Sequence, residues 1–84
     1  MIARHTVNLR PRMFELLARQ SGVRPDQIRL ESQLSRDLGI DSMEQYDLVI
    51  RAEEEFGILL LEGEFAIAAT VGDWCDMIEK KVRG

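Results

Sequence analysis

The apolar residues of this chain recur three and four places apart, and that spacing constrains its fold more than any other feature. Leu9, Met13, Leu16 and Leu17 form one series, Leu48, Val49, Ala52 and Phe56 a second, and Val71, Trp74, Cys75, Ile78 and Val82 a third. Each series falls on one face of an α-helix, whereas a half-buried strand would need strict alternation. The pattern predicts an all-α fold, a small antiparallel bundle of three main helices plus one short helix. The 84 residues leave room for one core, so residues 1–84 read as a single domain in which residues 1–7 fray. A domain of this size buries only about 60% of its unfolded-chain surface and has little space for a deep cleft.

Capping residues and glycines set the expected boundaries. The first helix should cover residues 9–21, with Asn8 as N-cap, Pro11 in the first turn and Gly22 as its stop. Residues 22–40 make a long connection, pinned to the core by Val23, Ile28, Leu30, Leu34 and Leu38; connections of this length are often functional. The second helix should begin at Ser42, with Asp41 and Glu44 at capping-box spacing, and run to Phe56 before Gly57. A short helical piece is expected near residues 62–68, weakened by Gly63. Thr70 and Asp73 repeat the capping-box spacing and open a last helix to about Val82.

Charge and composition exclude several functions. The net charge is −4 at pH 7, but it is unevenly spread. Residues 1–36 hold seven arginines against three acidic residues, and residues 37–84 hold four basic against twelve acidic residues. The acidic second half argues against nucleic acid and for partners with basic patches. The arginines of the first half are dispersed, without interleaved aromatics, and read as a solvated face that also pairs with the acidic half. No apolar run spans a membrane and no secretory signal opens the chain. A lone cysteine, Cys75, reads as a small core residue in a reducing, cytoplasmic setting. A monomer is expected.

Ser42 invites a catalytic reading that its surroundings do not support. Its context G-I-D-S-M is not the G-x-S-x-G of a nucleophile elbow, and the only histidine, His5, lies in the frayed N-terminus. Asp37, Asp41, Glu44 and Asp47 suggest a calcium loop, but such a loop counted from Asp37 needs glycine and glutamate where Ser42 and Leu48 stand. One cysteine and one histidine cannot furnish a tetrahedral zinc site. The chain is not read as an enzyme.

Two apolar stripes divide the second helix. Leu48, Val49, Ala52 and Phe56 mark the core side, and Met43, Tyr46 and Ile50 lie on another, flanked by Glu44, Asp47, Glu53 and Glu54. The second stripe is either buried as well or an exposed set of anchors in an acidic rim, suited to a basic partner surface. Ser42 itself is either a tolerated first helical residue or a hydroxyl placed at the positive end of a helix dipole, where a phosphate is stabilised.

The run D-L-G-I-D-S-M, followed by an amphipathic helix that ends E-E-E-F, resembles the signature of the acyl carrier protein family. The likeness covers nearly the whole chain, including G-V-R-P-D-Q-I and T-V-G-D-W. It implies a stand-alone carrier with 4′-phosphopantetheine, taken from coenzyme A, joined to Ser42 through a phosphodiester. The thiol of that arm would hold acyl groups as thioesters. Asp41 would help a phosphopantetheinyl transferase position its metal and substrate. Met43, Glu44, Asp47, Ile50, Glu53 and Glu54 match family positions that meet basic patches on acyl-transferring or condensing enzymes, and Tyr46 lies in the same stripe. Cargo would shelter among Leu48, Val49, Phe65 and the run Ile58 to Leu61. Tyr46 stands where a smaller aliphatic is usual, Arg36 and Arg51 where small or acidic residues are common, and L-L-L-E-G-E-F-A-I-A-A lacks the usual proline. These departures and the basic first half point to a specialised lipid, polyketide or other pathway. An aminoacyl carrier, or a helical interaction module that never bears the arm, are the alternatives.

Overall fold

The computed structural model describes residues 9–83, so Asn8, His5 and the expected frayed segment lie outside it. In chain order come α1 (Leu9–Ser21), a 3₁₀ turn (Pro25–Gln27), α2 (Ser42–Phe56), α3 (Glu62–Phe65) and α4 (Val71–Arg83). The fold is all-helical, as the apolar spacing predicts; the one extended pairing among the described residues is an isolated bridge between Gln33 and Thr70. α1 packs against both α2 and α4, and α3 packs against α4.

The core is assembled from the three predicted series. Leu9, Met13 and Leu17 of α1, Leu48 of α2, and Val71, Trp74, Cys75 and Ile78 of α4 are fully buried. Phe56, expected with them, is only half-buried and packs at the core's edge, where the Arg12 guanidinium lies over its ring at 5.9 Å. The Trp74 indole N–H would be an unpaired donor in this interior, and it donates to the Ala68 carbonyl at 3.2 Å. Burial pushes the Cys75 thiol up to about 11, so it stays protonated and behaves as a small apolar side chain. The basic first helix and the acidic second half do pair. Arg10 donates to Glu79 at 2.9 Å and to Asp76 at 3.4 Å, and Arg12 binds Glu55. Exposed pairs of this kind contribute only about 0–1 kcal/mol each, so they orient α1 more than they stabilise it.

The long connection is held by its backbone as much as by its side chains. Ile28, Leu34, Leu38 and Ile40 are buried, and Val23 packs against the core half-buried. Leu30, expected as an anchor, is 43% exposed. Its carbonyl is the anchored group, accepting the Gly72 N–H at 2.8 Å. A Cβ on Gly72 would lie 3.2 Å from that oxygen, a close approach that glycine makes without displacing the connection. Beside it the Val71 N–H donates to the Ser32 carbonyl at 2.9 Å and the Leu34 N–H to the Ala69 carbonyl at 3.0 Å. α3 is shorter than the expected piece at residues 62–68. Its one turn closes on the Leu61 and Glu62 carbonyls, after which the chain must turn to bring Ala69 to Leu34.

Candidate functional site

The connection delivers the start of α2 through a tight turn. Asp37 accepts the Gln33 N–H at 2.7 Å, and Gly39, at φ 68°, takes the left-handed conformation that returns Ile40 to the core. The Ile40 N–H bonds the Leu34 carbonyl at 2.8 Å, and Asp41 then emerges in extended conformation as the N-cap of α2. The expected capping box is formed. The Glu44 N–H donates to Asp41 Oδ1 at 2.8 Å, and the Asp41 N–H donates to Glu44 Oε1 at 3.2 Å.

Ser42 is therefore the first helical residue, and it is exposed. Among the described residues no side chain bonds its hydroxyl, which leaves the oxygen free for chemistry supplied from outside. The open first turn of α2 and its dipole lie beneath it. Among the described residues no group of three or more acidic, histidine or cysteine side chains is placed to hold a metal ion.

The second stripe of α2 faces solvent. Met43 is 80% exposed, Ile50 53% and Tyr46 49%. Asp47 and Glu54 are exposed beside them, while Glu44 and Glu53 are half-buried. Two of the acids have structural partners: Glu44 closes the capping box, and Glu53 accepts the Leu60 N–H at 2.9 Å. Tyr46 is also engaged on one side. Its hydroxyl donates to Glu62 at 3.0 Å and its ring meets Phe65 edge-on, with centroids 5.7 Å apart at 83°. The hydrogen bond to the Glu62 carboxylate raises the phenol above its ordinary range.

Comparison with known proteins bears directly on this site. Residues 11–78 match the family described as "Phosphopantetheine attachment site". An acyl carrier protein of Chlorobium luteolum is 33% identical over 73 residues, covering 87% of this chain and 94% of that one. One from Thermotoga maritima is 37% identical over 67 residues, covering 80% of this chain and 83% of its own. The chain belongs to the acyl carrier protein family.

Acyl carrier proteins are carriers and not catalysts, and their cofactor is a covalent phosphopantetheine. They function through interaction with transferases and biosynthetic enzymes. The residues at the head of α2 fit such a group, since Ser42 offers an exposed hydroxyl, unbonded among the described residues, at the positive helix end that favours a phosphate. Sequence reasoning missed the attachment of Tyr46 to α3, the Glu53–Leu60 bond and the Gln45 amide, which donates to the Phe65 carbonyl at 3.3 Å. No local pattern signals these contacts, because each joins α2 to residues beyond its end. The residues expected to shelter cargo divide. Leu48, Val49, Leu60 and Phe65 are buried, Ile58 is half-buried, and Leu59 and Leu61 are 68% and 56% exposed. No helix among the described residues is long and apolar enough to cross a membrane.

Proposed function

We propose that this chain is one carrier domain that holds acyl intermediates on a phosphopantetheine arm at Ser42 and presents them to partner enzymes of a specialised lipid, polyketide or related pathway. The observation that carries this reading is the exposed Ser42 hydroxyl, unbonded among the described residues, at the capped head of α2 and inside the segment that matches the family. Ser42 Oγ attacks the phosphorus of coenzyme A that bears the pantetheine. The new Oγ–P bond replaces the P–O bond to the adenosine portion, which leaves as the bisphosphate, and the serine proton passes to a base of the transferase. Asp41 fixes the helix mouth and lies where it can help the transferase place its metal. The arm, once bound, supplies a thiol that carries the acyl group as a thioester.

Docking falls to the exposed face of α2. Met43, Tyr46 and Ile50 supply apolar contact, while Asp47 and Glu54, with the outer edges of Glu44 and Glu53, meet a basic rim. The protein works as a cytoplasmic monomer, in keeping with one buried, protonated cysteine.

Intact mass tests the reading. Incubation with coenzyme A and a broad-specificity phosphopantetheinyl transferase should add one phosphopantetheine to the wild type and nothing to Ser42→Ala. No gain in the wild type, where a control carrier is modified, would sink the proposal.

A further inference from the structure

The acids of α2 are not equally free. Of the five between Ser42 and Phe56, three have partners within the fold. Glu44 closes the capping box, Glu53 accepts the Leu60 N–H, and Glu55 binds Arg12. Asp47 and Glu54 are exposed, and among the described residues neither is paired. Arg51 lies between them, four residues after Asp47 and three before Glu54, so the three share one side of the helix beside Met43 and Ile50. Neighbours at these spacings stand about 5–6 Å apart between Cβ atoms, close enough to pair. Arg51 does not: it is exposed, and among the described residues it makes no ion pair.

The docking face therefore presents its free charges as minus, plus, minus along one edge of the apolar stripe, and not as an unbroken acidic rim. An enzyme surface that is basic throughout would meet Asp47 and Glu54 well but would bring a cation against Arg51. Like charges forced together oppose docking, and specificity commonly rests on such a repulsive element. A carboxylate at that place reverses the sign and matches the fork of the guanidinium at two points. We propose that Arg51 is a specificity-determining residue for partner enzymes. It selects those with an acidic side chain between two basic ones and turns away those whose docking patch is basic throughout.

The inference rests on the docking role proposed for this face, and its test keeps the two apart. The probe is a phosphopantetheinyl transferase whose docking patch is basic throughout, acting on the apo-protein. In low salt, kcat/KM should rise about tenfold in Arg51→Glu and about threefold in Arg51→Gln, mostly through KM. At about 0.5 M salt, where screening acts over about 4 Å, the three proteins should converge. A transferase variant with glutamate at the patch residue facing Arg51 should invert the order and favour the wild type. A merely structural effect of the substitution would not follow the sign of the partner. Equal kcat/KM for the three proteins in low salt, or an order that ignores the transferase's charge, overturns the role of Arg51. Asp47→Asn is the control for the face. If it lowers kcat/KM while the Arg51 variants do nothing, the face docks and Arg51 has no part; if it too is silent, the docking role falls with the inference. If Ser42 accepts no arm where a control carrier is modified, the carrier reading fails, and direct titration of both transferases with wild type and Arg51→Glu still decides the preference.

Discussion

The starts of α2 and α4 are built alike. At each, an acidic or hydroxyl side chain accepts a backbone N–H three residues on, and a carboxylate returns the bond. Their surroundings differ completely. Around α4 the cap is clipped to the long connection, Asp73 accepts a second N–H from Ala69, and Val71, Trp74 and Cys75 point straight into the core. Around α2 the first turn projects, with Ser42 and Met43 in solvent. One local motif thus closes the fold in one place and presents a hydroxyl in the other. A capping box fixes where a helix begins, and tertiary packing decides what that beginning is for.

The largest effect should come from the first turn that is buried. Trp74→Ala removes a fully buried indole and should cost about 3–5 kcal/mol in denaturant unfolding, against a total of about 5–15 kcal/mol for a typical domain. Met43→Ala, at the matching exposed turn, should stay within about 0.5 kcal/mol. Similar losses would break the contrast between the two helix starts.

The caps themselves should differ less. Asp41→Ala, which removes an N-cap, should cost about 0.5–2 kcal/mol, whereas Asp41→Asn should be close to neutral because asparagine caps as well. Asp73→Asn should cost about 0.3–1 kcal/mol at neutral pH for the charge lost at the helix start. The Asp73 carboxyl is held below its ordinary range by the N–H groups of Thr70 and then Ala69. A depressed carboxyl stabilises the fold above its unfolded value, and that contribution disappears as pH falls through the folded one. Unfolding midpoints from neutral pH into the acid range should therefore fall less steeply for Asp73→Asn than for wild type. Parallel curves would remove Asp73 as a source of the acid sensitivity.

The smallest effect is spectroscopic. Tyr46 is the only tyrosine, so the phenolate band reports it alone. It should titrate above the usual 10.0 and fall back toward that value in Glu62→Gln. Because the folded phenol binds its proton more tightly, the associated stabilisation is present below the unfolded value and lost as pH rises through the folded one. An unshifted midpoint in Glu62→Gln would deny the hydrogen bond.

Most of the bundle was legible because its signals are local. Asp41 with Glu44, Thr70 with Asp73, and the stops at Gly22 and Gly57 place helix ends within a few residues of themselves. Apolar letters outside a helical period carry no such information. Leu30, Leu59 and Leu61 look like anchors but are exposed, while Leu38 and Ile40 are buried; only the path of the backbone separates them. At the site, spacing places Ser42 behind its cap at the helix start, while its role comes only from the family resemblance. The engagement of Tyr46 could not be read from spacing, since Glu62 and Phe65 reach it through the turn that folds α3 back on α2.

The clip between residues 30–34 and residues 69–72 has a consequence of timing. The Leu30 and Ser32 carbonyls and the Leu34 N–H find their partners in Gly72, Val71 and Ala69, and contacts so distant in sequence form late because the intervening loop must first be closed. On a ribosome, the segment that delivers Asp41 and Ser42 leaves the exit tunnel well before the residues that hold it in place. The helix mouth at Ser42 therefore takes its final shape only after residues 69–72 have also emerged, and not when its own residues do.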